Sequence, residues 1–247
     1  YAKMACDQGL VGMAMTNSEA IMVPTFARMA MIGSNPIALA VPAEPYPFFF
    51  DASTTVVTRG KLEVYNKMEK PLPEGWALNK DGHPSTDAKD VLKNIVAKNG
   101  GGIMPVGGNT EQLGSHKGYG YGMMCEIFCS VFSQGTPSSH VNVGGKSGTC
   151  HGFMAVDPHV FGDPEAIKAH FSACLQELRD APKADGQTRI YTHGEKEAFA
   201  YQDRMENGID VNINTVAEMA DMARYLGMDV EKYLGKVDVH GLESSYQ

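Results

Sequence analysis

Ser115-His116-Lys117-Gly118-Tyr119-Gly120 is the stretch whose residue types come closest to chemistry. A cation set just ahead of glycines that open a helix can meet a phosphate together with the helix's first amides, and glycines let a backbone come close to a ligand. The same residues also read as a solvated lysine on a glycine loop. Asp51-Ala52-Ser53-Thr54-Thr55 follows a dense apolar run. A carboxylate at a strand end, followed by small hydroxyl residues, can hold ribose hydroxyls or, more simply, cap its own turn. His193-Gly194-Glu195 stands at a helix start, where Thr192 and Glu195 have capping-box spacing that accounts for the glutamate without any ligand. His83 and His151 lie beside turns, where lone histidines are commonly structural or solvated.

Three familiar motifs fail. Gly144-Gly145-Lys146-Ser147 resembles the end of a P-loop, but the place five residues before Gly145 holds His140 instead of glycine. Gly118, Gly120 and Gly122 are spaced GxGxG and follow a Ser-His-Lys loop instead of a strand. No acidic residue stands at the right distance on a second strand, so the Rossmann fingerprint is absent. Cys125 and Cys129 share a helix face with no histidine at ligand spacing, and read as core; no metal site is expected. The 15 methionines read as gap-fillers in the core.

The elements that must position these residues are of mixed α and β type. Apolar runs at 10–15, 37–41 and 48–50 read as buried strands, separated by the turn formers Thr16-Asn17-Ser18 and Gly33-Ser34-Asn35-Pro36. Residues 67–90 read as a surface loop turning at Lys80-Asp81-Gly82, and 99–108 as a glycine-rich loop. An apolar helix is expected over 118–132 and a strand over 153–156. Asp163-Pro164 opens a helix whose apolar face is Ile167, Phe171, Cys174, Leu175 and Leu178. Thr192 opens another that Gly208 closes, and Thr215-Val216-Ala217-Glu218 opens the last, ending near Gly227. Tyr1 to Gly9 reads as the end of a helix closed by glycine, so the sequence is expected to begin inside a folded domain.

Composition narrows the function classes. The 247 residues are 43% hydrophobic and 20% charged, enough for a sizeable core and unlike a disordered chain. With 21 basic against 29 acidic residues, net −8, there is no basic face for nucleic acid or an anionic membrane. No apolar run approaches the roughly 20 residues that span a bilayer. An odd set of 5 cysteines without CxxC points to a reducing, cytoplasmic setting.

Taken in order, several stretches resemble a single family over about residues 1–228. They are Gly9-Leu10-Val11-Gly12 with Thr16-Asn17-Ser18, Gly33-Ser34-Asn35-Pro36-Ile37-Ala38, and Phe50-Asp51-Ala52-Ser53. Leu72-Pro73-Glu74-Gly75-Trp76-Ala77, Asp81-Gly82-His83-Pro84-Ser85-Thr86-Asp87, His116-Lys117-Gly118-Tyr119-Gly120 and Gly194-Glu195-Lys196-Glu197 complete the set. The chain thus resembles the malate/L-lactate dehydrogenase family that includes ureidoglycolate dehydrogenase, sulfolactate dehydrogenase and diketogulonate reductase. The family's Pro-x-Gly-Gly turn stands here as Pro24-Thr25-Phe26-Ala27, and its Gly-Thr-Asn-Pro as Gly33-Ser34-Asn35-Pro36.

The resemblance implies a largely antiparallel sheet with flanking helices, a non-Rossmann NAD(P)-binding fold. It implies a central cofactor domain over 1–160 and a helical part over 161–247 packing back on it. It also implies NAD- or NADP-dependent interconversion of a 2-hydroxy acid and its 2-oxo acid by a homodimer. Carried over by position, Ser18, Asp51, Ala52, Ser53, His116, Lys117, Gly194, Glu195 and Lys196 line the dinucleotide site, with Lys117 the natural phosphate partner. The catalytic histidine is implied to lie ahead of Tyr1, so no catalytic residue is expected in the chain itself. The rival expectations are a scaffold that reuses the fold without turnover and a module for another nucleotide.

Overall fold

The computed structural model describes residues 1–145 and 147–236. The chain separates into two compact units, Tyr1–Glu195 and Lys196–Gln247. The first runs α1 (Ala2–Cys6), β1 (Val11–Thr16), β2 (Ile37–Val41), β3 (Phe48–Ala52), α2 (Arg59–Lys67), β4 (Ala77–Leu78), β5 (Pro84–Ser85) and α3 (Ala88–Ala97). It continues with β6 (Gly102–Ile103), α4 (Ser115–Glu126), a π-helical turn (Ile127–Val131), β7 (His151–Val156) and α5 (Pro164–Asp180).

Four strands form a fully antiparallel sheet in the order β3-β2-β1-β7. Side chains alternate across a strand, and here the alternation sorts two cores. Ala14, Ala38, Ala40 and Phe49 face Ala2 and Cys6 of α1, where small residues leave room for a helix. Met13, Met15 and Ile37 point the other way, against Cys125 of α4 and Cys129 of the π turn. Both cysteines are fully buried, as expected of core residues. The fold is therefore mixed α/β with a largely antiparallel sheet.

A second sheet, β5-β4-β6, occupies ground read as loop. The 67–90 stretch is no simple surface loop: Leu72, Ala77, Leu78 and Ala88 are buried, and the expected turn at Lys80-Asp81-Gly82 joins β4 to β5. Likewise β6 lies inside 99–108, with Ile103 and Met104 deep in the core. Strands of two residues are too short to show a period, so only burial reveals them.

α5 begins where expected, the Asp163 carboxylate accepting the Glu165 N–H at 3.1 Å ahead of Pro164. Only Leu175 of its apolar face is buried, and Leu178 stays exposed. The methionines divide: Met22 and Met104 are core, whereas Met4, Met68, Met205 and Met222 are exposed, which corrects the gap-filling expectation.

In the second unit α6 (Glu195–Asn207) continues from the last residue of the first and ends at Gly208. α7 (Ile213–Tyr225) is capped by Asn212, which accepts the Asn214 N–H at 2.9 Å, and not by Thr215. α8 (Val230–Leu234) follows it, so α7 is not the last helix. Among the described residues no helix is long and apolar enough to cross a membrane.

Candidate functional site

The sheet register pairs Met15 with Ile37 and Ile37 with Ala52, so β1 ends, β2 begins and β3 ends at the same side. Ser18, Ser34 and Ser53 leave the sheet there together. The Ser34 N–H donates to Ser18 Oγ at 3.1 Å, and the two hydroxyls lie 3.4 Å apart. The Ser34 carbonyl accepts Ser53 Oγ at 3.2 Å, the Thr54 N–H at 2.9 Å and Thr54 Oγ1 at 2.9 Å. Ser53 Oγ also accepts the Thr55 N–H at 3.2 Å, so this turn is capped by Ser53 and not by Asp51. Asp51 is exposed, its carboxylate without an ion pair or hydrogen bond among the described residues.

α4 is tied to this turn through its glycines. A Cβ on Gly118 would sit 2.3 Å from the Val106 carbonyl oxygen, and one on Gly122 would sit 3.0 Å from Met22 Cε and 3.3 Å from Thr54 Oγ1. These glycines, expected to admit a ligand, instead admit the protein's own atoms, backbone at Gly118 and side chains at Gly122; of the three, only Gly120 faces open space. The Val106 N–H donates to the Thr54 carbonyl at 3.0 Å, closing the connection. His116 and Lys117 stand at the exposed start of α4, and neither has an ion pair or hydrogen bond from its side chain among the described residues. Ser115 beside them is buried and bonded to Thr25 Oγ1 at 2.9 Å.

His193 and Gly194 lie against the outer edge of β3. The Phe49 N–H donates to the His193 carbonyl at 3.0 Å, and a Cβ on Gly194 would sit 3.0 Å from Phe49 Cβ. Phe49 and Asp51 share a face of β3, about 7 Å apart by strand rise. The Glu195 carboxylate is fully buried. Arg179 Nε and Arg189 donate to it, the latter at 2.9 Å, and Thr192 adds its hydroxyl at 2.6 Å and its N–H at 3.3 Å. Burial pushes this carboxyl up, and the bonds from Thr192, Arg179 and Arg189 outweigh it, holding it down at about 2. The capping-box spacing was legible; the two arginines were not. Lys196 falls in the second unit, where it lines a depression of about 590 Å³ with Glu197, Ala200, Tyr201 and Arg204.

Ser18 and Ser53 are thus joined through Ser34, Asp51 and Ala52 precede Ser53 on β3, and Gly194 lies beside Phe49 of that strand; no side-chain hydrogen bond among the described residues joins His116, Lys117 or the Asp51 carboxylate to them. Among the described residues no group of three or more His, Cys, Asp or Glu could hold a metal ion.

A profile of the malate/L-lactate dehydrogenase family matches residues 1–220. The chain belongs to this family. It is 38% identical over 231 residues to the malate dehydrogenase of Pyrococcus horikoshii, covering 93% of this chain and 62% of that protein. It is 36% identical over 161 residues to a Δ1-pyrroline-2-carboxylate reductase of Pseudomonas fluorescens, covering 63% of this chain and 44% of that one. The crystal structure of malate dehydrogenase from Entamoeba histolytica superposes with a TM-score of 0.88 at 31% identity, over 93% of this chain and 64% of that one. The chain therefore spans somewhat under two thirds of the two malate dehydrogenases, and its match covers under half of the reductase.

The Ala27 N–H donates to the Pro24 carbonyl at 2.9 Å, and Phe26, third in this turn, has φ +69°. That is the backbone glycine adopts freely. Phe26 therefore holds a left-handed conformation that an L side chain adopts only at a cost.

Proposed function

We propose that the chain is the dinucleotide-holding part of an NAD(P)-dependent oxidoreductase that interconverts a 2-hydroxy acid of the malate or lactate kind and its 2-oxo acid. One observation carries this: Ser18 and Ser53 meet at the Ser34 turn just after Asp51, and α4, which bears the unpaired His116 and Lys117 at its start, packs on the same turn through Gly122 against Thr54 and through Gly118 against Val106, whose N–H bonds the Thr54 carbonyl. The donor set fits the ligand. A diphosphate needs a cation, which Lys117 and His116 supply at a helix start. Ribose hydroxyls need a carboxylate acceptor and small hydroxyl partners, which Asp51, Ser53 and Ser18 supply. Gly194 borders this edge, and Glu195 acts by fixing the Gly194 turn, since its own oxygens are occupied by Arg179, Arg189 and Thr192. Lys196 opens the helix that follows.

When bound, the nicotinamide supplies or takes the hydride. The carbonyl oxygen that becomes a hydroxyl must also gain a proton, and a positioned acid is worth about 10²–10⁴-fold in rate. His116 lies beside Lys117, where it suits phosphates better than a carbonyl. We assign the acid to a segment outside residues 1–247. The free cysteines support a reducing, cytoplasmic setting. The apolar side chains left exposed at Ile127, Phe128, Val131 and Phe132 support a homodimer. Sedimentation tests that point, and a monomer at high concentration removes it.

The function is tested by titrating the chain with NADH and NADPH, then following nicotinamide absorbance with pyruvate, oxaloacetate and a cyclic imino acid. Binding without turnover by the chain, and turnover by a version extended at its N-terminus, is the expected result. Full turnover by the bare chain moves the acid to His116 or His151. Absence of nucleotide binding in both versions favours the scaffold.

A further inference from the structure

Glu126 is a buried carboxylate that the site described so far does not use. It is 5% exposed. Its Oε1 accepts Asn35 Nδ2 at 3.1 Å, the Ser138 N–H at 3.3 Å and the Ser138 hydroxyl in a very short bond. Its Oε2 accepts Ser130 Oγ at 2.7 Å. No cation pairs with it among the described residues. Buried charged groups are costly unless fully bonded, so a carboxylate kept here on neutral donors alone marks a geometry that must be held.

Asn35 receives that geometry. It is fully buried with φ +33°. Its Nδ2 donates to Glu126 and to the Gly122 carbonyl at 3.0 Å, and its Oδ1 accepts the Ser18 N–H at 3.1 Å and Ser138 Oγ at 3.3 Å. Both amide protons and the Ser18 N–H are in full bonds, and Oδ1 shares the Ser138 hydroxyl proton with Glu126, so the amide can neither rotate nor flip without breaking several bonds. Ser18 in turn holds Ser34. Glu126 is the last residue of α4, and Lys117 lies nine residues earlier on that helix, about 14 Å up its axis. One helix therefore carries the proposed phosphate cation near its start and grips the proposed ribose-side turn at its end.

We propose that Glu126 is a positioning residue for the dinucleotide: through Asn35 it fixes the Ser18–Ser34 turn relative to Lys117, setting the distance between the two halves of the ligand. The inference rests on the nucleotide reading above. Its signature is specific, because a fault in spacing penalises a ligand that must touch both places and spares one that touches a single place.

The experiment measures dissociation constants of NADH and NADPH, and of the fragments ADP and nicotinamide mononucleotide, for the unmodified chain and for Glu126→Ala, Glu126→Gln and Lys117→Ala. Glu126→Ala is expected to weaken both dinucleotides about tenfold while each fragment stays within about twofold. Glu126→Gln restores binding, since its amide oxygen still accepts from Asn35 and Ser138 and its amide nitrogen can donate to Ser130 Oγ. Lys117→Ala, by contrast, weakens ADP as well. Where Glu126→Ala does not fold, Ser138→Ala, which removes the single hydroxyl donor that Glu126 and Asn35 share, should give a smaller loss with the same split. Equal weakening of fragments and dinucleotides, or no weakening in a folded variant, overturns the inference alone. Failure of the unmodified chain to bind either dinucleotide overturns the nucleotide reading, and this inference with it.

Discussion

Glu126 and Glu195 are both buried carboxylates in the same compact unit, and they are held in opposite ways. Glu195 meets two guanidiniums and a threonine; Glu126 meets an asparagine and two serines and no cation among the described residues. The charge-paired site joins α5, through Arg179, to the segment carrying Arg189 and Thr192 and to the start of α6. It staples parts of the chain together. The neutral site joins side chains whose bonds are short and directional, and its product is the orientation of the Ser18–Ser34 turn. The contrast separates a group that holds the fold from a group that holds the shape of a site.

The largest effect is expected at Glu195. Glu195→Gln leaves the nearly buried Arg179 and the half-exposed Arg189 short of their counter-charge, a loss of about 3 kcal/mol. For a chain of this size, that corresponds to a melting temperature about 6–12 °C lower. The pH dependence has a definite sign. The folded carboxyl sits at about 2, below its ordinary 4.5, so the unfolded chain binds the proton first. The stabilisation is complete above about pH 5 and is lost as pH falls from 4.5 towards 2. Acid unfolding of the unmodified chain should steepen in that window, and Glu195→Gln should flatten it. An unchanged acid transition would show that the pair carries no stability.

Next in size is Lys117→Ala, which acts on the ligand side. Loss of a charge-assisted bond to phosphate costs about 1.5–3 kcal/mol, roughly ten- to a hundredfold in NADH or NADPH affinity. Because Lys117 is exposed and unpaired, the melting temperature should stay within 1 °C or so of the parent, on the order of the usual surface substitution. Asp51→Ala sharpens the same point more weakly. Ser53 and not Asp51 caps the turn, so a severalfold loss of affinity is expected with stability intact. Destabilisation with affinity unchanged would return Asp51 to a structural part.

How much of this was legible in the sequence follows the range of the interactions. β2 was read at its true bounds because Gly33-Ser34-Asn35-Pro36 marks its start and its apolar run ends at Val41. The α5 cap was read because Asp163 and Pro164 act on their own helix. The bonds that define the site are distant: Asn35 to Glu126 spans 91 positions, and Arg179 to Glu195 spans 16 across a stretch without regular structure. No local pattern announces either. The α4 glycines misled for a related reason, since glycine records a close approach without saying whether a ligand or the chain itself approaches. The resemblance to the family supplied the order of the motifs and hence the proposed site, whereas the clamp beneath it came only from the side-chain geometry.

The smallest expected effect lies at Phe26, a place held neither by charge nor by a buried network. Its ring is 82% exposed, so burial contributes little to keeping the turn. Its φ of +69° is one an L side chain adopts at a cost of about 1–2 kcal/mol. Glycine removes that strain but adds freedom to the unfolded chain, worth about 0.4–1 kcal/mol in the opposite direction. The difference favours Phe26→Gly by about 0.5 kcal/mol, a rise of one or two degrees in melting temperature. The Ala27 N–H bond to Pro24 survives the change, because it uses backbone alone. Dinucleotide affinity should not move, since Phe26 touches none of Ser18, Ser34 or Ser53. A fall in stability instead would mean that the ring packs on a surface outside the described residues, and that the turn is held from outside in the way Glu126 holds Ser18 from within.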